Sequence, residues 1–465
     1  MNNGRNLDLV RGLGKWSSAA IVVGTMVGTG IFLKPAEMAA DGGSLLIVLA
    51  AWVVGGVLSL FGAFAYAELG AALPEAGGDY AYLREGFGPV WGFLFGWMHS
   101  IVGRPASQSS IAAGLARFCG FLLPAIATPI FATRISLPLL GAPYVFAFTW
   151  AQPLAVVALA ALAFINFLGV RQGGRLQVIL TVIKVSSVAA IAVLGFTLAR
   201  PGSVGLHPFF PSTYTFTTLI GFFGALAASL WAYDGWADLN LVGSEIEDPQ
   251  RNMPRALILG VILCIGLFLA FTLAAHWALP FAAIAKSEHI GSDLVAQVSG
   301  RNVAVWVTLA MVISAIGTLN GSTLTGARVP YAMARDGLFF RGTGRIHPQF
   351  RTPGGALLFE FTLASLFAMS GTFEDLTSLF LFANWIFYGL AAAAMIRMRR
   401  SHPDLPRPYR CWGYPWVPVL FVAGAVALTI TLWMARPVRS SIGLALMVSG
   451  LIFYRHWRGE RPETS

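Results

Sequence analysis

Two short stretches place residues where an apolar helix would not normally hold them. Residues 21–35 read IVVGTMVGTGIFLKP, with Gly24, Gly28 and Gly30 inside one apolar run and Thr25 and Thr29 between them. Each helical glycine costs roughly 0.5–1 kcal/mol relative to alanine. The stretch LWAYDGWADLNLVGSE then puts Asp234 and Gly235 behind the apolar residues 219–230. In lipid, a broken helix leaves backbone N–H and C=O groups without partners, so it persists only where it lines a cavity or binds something. Gly28, Thr29 and Gly30 would present amide N–H groups at the start of a half-helix, whose positive end suits an anion such as a carboxylate. The competing reading is a close helix crossing, since small residues four apart, Gly24 and Gly28, form a packing face. A carboxylate buried in a membrane, as Asp234 would be, is expensive and by default functional.

The elements that position these residues are membrane spans. The chain has 465 residues, 56% hydrophobic and 11% charged, with mean hydropathy +0.70. Soluble proteins carry about 25% charged residues, so bilayer must cover this surface. Twelve segments are long and apolar enough to expect a span: 16–39, 45–69, 88–122, 149–168, 176–199, 215–241, 255–278, 303–328, 354–370, 374–396, 416–435 and 440–456. The third is overlong, which predicts a tilt or an extension beyond the membrane. No connection is long enough for a soluble catalytic domain. The basic N-terminal segment lacks the short apolar core and cleavage site of a signal peptide.

The net charge of +10 invites a nucleic-acid reading, which the positions of the charges oppose. With the N-terminus inside, 20 Lys and Arg fall on the inner side and seven outside, while Lys34, Arg104, Lys184 and Arg328 lie in or at the edges of spans. This is the positive-inside pattern of a membrane protein with both termini cytoplasmic.

The two interrupted spans, first and sixth, occupy the same place in two five-span halves, 1–5 and 6–10. Paired breaks at corresponding positions point to an inverted-repeat transporter with its site near the bilayer midplane. The expected organisation is a cytoplasmic N-terminus (1–15), a first five-helix repeat (16–200), a second (215–396), two additional helices (397–456) and a cytoplasmic tail (457–465).

The chain resembles the amino acid–polyamine–organocation superfamily, and most closely its L-type amino acid transporter branch. The resemblance rests on VGTMVGTGIFLKP, AYAELGAALPEAGGDYAYLREGFG, WAYDGW with SEIEDPQRNMPRAL, GARVPYAMARDGLFF with RIHPQFRTPGGAL, and RRSHPDLPRPYRCWGYP, in order and at matching positions. It implies an all-α fold of two inverted five-helix repeats plus two helices, with substrate at the two breaks. By that likeness the amides of Gly28, Thr29 and Gly30 hold the substrate carboxylate, and carbonyls freed near Met26, Trp231 and Asp234 hold its ammonium. Thr25 and Gly235 complete the site, Trp231 matches an aromatic gate, and Asn384 matches a position near the pocket, with interhelical bonding as its alternative. Lys184 matches a position where an ammonium replaces a coupling cation at carbonyls near Val23 and Gly24. Lying about eight residues into its span, roughly 12 Å along the helix, it has snorkelling to the interface as the alternative.

The resemblance implies a sodium-independent exchanger or permease of L-amino acids. The mostly uncharged pocket favours neutral substrates, and cationic amino acids or polyamines are the alternative. The seven His form no HExxH and no GxSxG is present, so no enzyme is expected. Cys119, Cys264 and Cys411 have no metal or disulfide spacing, and neither cofactor nor metal is expected. Residues 123–148 contain no Cys, whereas the family's heterodimeric members use one there, so no disulfide-linked heavy chain is expected. Short termini suit a bacterial inner membrane. Glu68, Glu75 and Asp79 are expected to cap helices and form inner-side ion pairs, and Arg104 to pair with freed carbonyls or with an inner-half carboxylate.

Overall fold

A computed structural model describes residues 8–135, 144–199, 206–370, 373–435 and 437–459. Helices cover the twelve expected segments, with interruptions inside the first, third and sixth, and further short helices lie between them. In the first half these are α1 (Lys15–Met26), α2 (Gly30–Gly42), α3 (Leu45–Ala72), α4 (Asp79–Phe87), α5 (Pro89–Met98), α6 (Arg104–Leu122), α7 (Ala151–Phe167) and α8 (Val170–Leu198). In the second half they are α9 (Phe216–Tyr233), α10 (Asp238–Leu241), α11 (Pro249–Ala278), α12 (Phe281–Ile284), α13 (Ile290–Ser299), α14 (Arg301–Gly326), α15 (Arg328–Arg335), α16 (Gly354–Ser370) and α17 (Phe373–Ser401). Helices α18 (Trp416–Ala435) and α19 (Pro437–Gly459) follow. Among the described residues, seven helical segments are long and apolar enough to cross a membrane. Large apolar side chains such as Phe164 (62% exposed) and Leu259 (63%) face outward, where a soluble protein would place charge. The chain is a polytopic helical membrane protein.

The interrupted pairs sit at the centre. Helices α1 and α2 pack against α8, α9, α11 and α14, while α3 crosses both α9 and α11. Buried aromatic residues fill the interior: Trp52 lies edge-on to Tyr233, and Trp236 to Tyr66. The overlong third segment is one helical path, α5 continuing through a wider π-helical turn (His99–Gly103) into α6. Pro105 lacks the N–H that would bond the Ile101 carbonyl, and the wider turn absorbs that loss.

The loops sort to two faces. On the face holding the N-terminal segment, Gly12 and Leu13 donate backbone hydrogen bonds to the Glu245 carbonyl (2.9 and 3.0 Å), and Leu13 pairs with Ile246 as in a parallel strand. Arg84 reaches Asp336 (2.7 Å) and Glu75 (2.8 Å), and Glu68 is held by Arg399 and Arg407. Glu68 and Glu75 thus form the expected ion pairs. Asp79 instead is buried and accepts a hydrogen bond from the Tyr66 hydroxyl. The opposite face carries two antiparallel strands, β1 (Pro129–Ile135) and β2 (Tyr144–Thr149), between the third and fourth expected spans.

Candidate functional site

The first break follows from a backbone that runs out of helix. Val27 N–H closes the last α1 turn on the Val23 carbonyl (2.8 Å), and Gly28 N–H then bends back to the Met26 carbonyl (2.9 Å). A continuous helix would have bonded Gly28 N–H to Gly24, so Gly24 and Val27 lose their helical partners. Thr29 caps α2, and neither its N–H nor that of Gly30 makes a backbone hydrogen bond among the described residues. The cavity-lining N–H groups without a backbone acceptor are therefore those of Thr29 and Gly30, whereas the Gly28 amide is engaged by Met26.

The second break is made by Asp234 and Gly235. Asp234 has ψ 151° and ends α9. Gly235 then adopts φ +108°, a conformation L side chains rarely take. A Cβ on Gly235 would also lie 2.8 Å from Thr25 Cβ, so the two breaks touch. The Thr25 hydroxyl ties them together, shared between the carbonyls of Ile21 (2.6 Å) and Gly235 (2.9 Å). The carbonyls expected to be free at Met26 and Trp231 are both engaged, by the N–H groups of Gly28 and Asp234. Those of Ala232 and Asp234 receive no hydrogen bond among the described residues, and both residues line the cavity.

Between the breaks lies a cavity of about 40 Å³. Its walls include Thr25, Met26, Gly28, Thr29 and Gly30 from the first break and Trp231, Asp234 and Gly235 from the second. Helices α6 and α14 close it with Arg104, Ser107, Ser110, Thr318 and Ser322. Asn384 stands outside this space, on a second small cavity that shares Arg104 and Asp238 with the first. It approaches the site through Tyr388, whose hydroxyl lies 3.4 Å from Asn384 Nδ2 and donates to Asp234 Oδ1 (2.9 Å). Asp234 thus both lines the cavity and is braced from α17. Trp231 is half-buried, with the Lys34 ammonium 5.1 Å from its ring centroid.

Glycine at the breaks serves close packing as well as an open backbone. A Cβ on Gly30 would lie 2.8 Å from Ala232 Cα, and one on Gly28 would lie 2.5 Å from Thr318 Oγ1. The two readings of this stretch are compatible: small residues let the half-helices meet, and the meeting leaves the amides facing a cavity.

Behind the first break, Lys184 is fully buried, which rules out snorkelling. Its ammonium donates to the carbonyls of Gly24 and Val27 (the latter 2.8 Å), and lies 3.2 Å from Ser314 O and 3.1 Å from Thr318 Oγ1. Its backbone acceptors on span 1 are Gly24 and Val27 rather than Val23 and Gly24, because the Val23 carbonyl already closes α1.

The sequence reading did not place Arg104 in the site. The structure answers its question of a partner with a carboxylate: Arg104 forks onto Asp238 through Nη1 (2.9 Å) and Nη2 (2.7 Å). A polar residue preceding Pro105 inside an apolar span, and an acid four residues beyond Asp234, were the available signals. A second buried pair, Arg328 with Glu245 (2.6 and 3.0 Å), lies towards the N-terminal face. Among the described residues no cluster of His, Cys, Asp and Glu could hold a metal.

Comparisons with known proteins agree with this architecture. The family model described as amino acid permease matches residues 13–454. The b(0,+)-type amino acid transporter 1 of Mus musculus is 30% identical over 97% of this chain and 88% of its own length. The large neutral amino acids transporter small subunit 2 of Mus musculus is 31% identical, over 97% and 82%. The serine/threonine exchanger SteT of Bacillus subtilis is 28% identical over 96% of both chains. A match that runs through both helix breaks and nearly the whole length settles the family: the chain belongs to the amino acid permeases of the amino acid–polyamine–organocation superfamily.

Proposed function

We propose that this permease is a sodium-independent exchanger of small neutral L-amino acids, working by alternating access around the cavity between the two breaks. The observation that carries the reading is the facing pair of interruptions: uncommitted N–H groups at Thr29 and Gly30 on one side, uncommitted carbonyls at Ala232 and Asp234 on the other. A zwitterion is costly to dehydrate, and oriented backbone dipoles of both signs replace its water. The carboxylate then sits at the start of α2, where the helix dipole favours an anion.

Size and precedent support small neutral substrates. About 40 Å³ is room for roughly three waters, so the smallest side chains require the least rearrangement. The bacterial relative is named a serine/threonine exchanger, and another relative is named for large neutral amino acids. Cationic amino acids are the second reading, favoured by the Asp234 carboxylate on the cavity wall. Sodium independence is supported by Lys184, a resident cation on the carbonyls that the first break frees.

The rest of the reading is twelve spans with two inverted five-helix repeats, a multi-pass bacterial inner-membrane location, cytoplasmic termini, transport without catalysis, and no disulfide-linked heavy chain. The test is uptake of labelled serine, leucine and lysine into proteoliposomes with sodium replaced by choline, with and without unlabelled amino acid inside. Stimulation by internal amino acid supports exchange. Absence of flux for all three substrates refutes the reading.

A further inference from the structure

One wall of the cavity holds a charge pair that backbone recognition of a zwitterion does not need. Arg104 and Asp238 both line it, although their side chains are only 5% and 8% exposed. Arg104 is committed on every edge of its guanidinium: Nη1 and Nη2 to Asp238, Nη1 also to Ser322 Oγ (3.0 Å), and Nε to His99 Nε2 (3.3 Å). Asp238 is fixed in turn by the Thr325 hydroxyl (3.3 Å) and by its place at the start of α10, directly after the second break.

A guanidinium in a water-poor cavity is the strongest available partner for a carboxylate, because its planar fork matches both oxygens. Left open beside Gly30 and Thr29, it would bind the side chain of an acidic amino acid. Asp238 already fills that fork. An incoming side-chain carboxylate meets a satisfied arginine, the Asp238 charge and the Asp234 carboxylate, which lines the same cavity. We propose that Asp238 is a specificity-determining residue: by occupying Arg104 it makes the site reject acidic amino acids, and releasing Arg104 turns the site towards them. This rests on the reading that amino acids occupy this cavity, and it identifies the element set against the wrong substrates.

The test is competition against labelled serine uptake in proteoliposomes, comparing aspartate with its neutral isostere asparagine. In the wild type, asparagine competes and aspartate does not. Asp238→Asn keeps the shape and removes the charge, and should improve aspartate relative to asparagine by roughly 10- to 100-fold, the worth of a hydrogen-bonded charge. Arg104→Gln combined with Asp238→Asn should abolish that gain while keeping the net charge of the pair at zero, as in the wild type. A merely structural pair would change expression and melting temperature without moving the aspartate-to-asparagine ratio. Equal competition by the two amino acids in the wild type overturns the proposal. So does a folded Asp238→Asn variant with an unchanged ratio, or a double variant that keeps the gain. If Asp238→Asn does not fold, Asp238→Ser takes its place, and the wild-type ratio remains decisive. Absent serine flux in the wild type refutes the transport reading instead.

Discussion

Lys184→Met removes one buried positive charge and keeps an unbranched apolar side chain in its place. The ammonium serves two carbonyls that the first break deprives of helical partners, those of Gly24 and Val27. Each retains a hydroxyl when the ammonium is gone: Thr318 Oγ1 lies 3.1 Å from Gly24 O, and Ser314 Oγ lies 3.1 Å from Val27 O. Two charge-assisted bonds at about 1.5–3 kcal/mol each, partly offset by those hydroxyls, make the loss about 2–4 kcal/mol for this arrangement of α1 and α2. Imposed on a two-state transport equilibrium, even the lower figure shifts populations by roughly 30-fold. The cavity-lining amides of Thr29 and Gly30, proposed to hold the substrate, start α2 and are not Lys184 ligands, so binding should suffer less than turnover. The assay is initial flux against substrate concentration in proteoliposomes, in sodium and in choline. We expect wild-type flux to be indifferent to sodium. In the variant we expect turnover to fall by at least about tenfold while KM moves by less than about threefold. Strict sodium dependence of the wild type, or undiminished turnover in Lys184→Met, would refute the reasoning.

Gly30→Leu should abolish uptake while leaving a membrane-inserted protein, and Gly30→Ala should already impair it, because a Cβ there lies 2.8 Å from Ala232 Cα; binding to purified protein checks both. Trp231→Ala should weaken transport of bulky substrates more than it lowers the melting temperature, as read from a panel of competing amino acids. Asp234→Asn should reduce lysine or ornithine transport selectively if the carboxylate reads substrate charge, and should affect all substrates alike if it only braces Tyr388. Arg328→Met leaves Glu245 charged and unpaired in the interior, a loss of about 3–5 kcal/mol that should appear as a lowered melting temperature in detergent.

Both breaks are legible in the sequence because each violates a local rule. Glycines in the first apolar run and a carboxylate followed by glycine in the second oppose helical propensity, and the backbone departs from helix at those positions. Lys184 is legible for the same reason, a lysine where lipid or core should be. The details that fail are settled by neighbours. Which carbonyls are free depends on where each N–H turns: Gly28 N–H bends to Met26 and Asp234 N–H to Trp231, so of the three expected acceptors that of Asp234 stays open, with Ala232 nearby. The Arg104–Asp238 pair joins residues 134 apart, and no local pattern identifies such a partner. Asn384 is polar within a span, and its side chain meets Tyr388 one turn along the same helix, on the second small cavity rather than on the one between the breaks. The paired strands β1 and β2 are apolar and lie outside the helical framework, where periodicity over six or seven residues is too short to stand out.

The two sides of the first break show how the protein divides labour between itself and its ligand. A break in lipid frees both donors and acceptors. On the side facing α8 and α14 the freed carbonyls are satisfied by a resident ammonium and two hydroxyls, all supplied by the chain. On the side facing the cavity the N–H groups of Thr29 and Gly30 are left uncommitted. The second break leaves carbonyls of Ala232 and Asp234 open to the same space, while Thr25 engages Gly235. In the proposed function one carboxylate and one ammonium, close together, would complete these groups, and that is the head group of any amino acid. In that reading, recognition of the head group belongs to the backbone and is indifferent to side-chain identity. Selectivity in that reading falls to the side chains that line the cavity, and those that carry charge there are Arg104, Asp238 and Asp234.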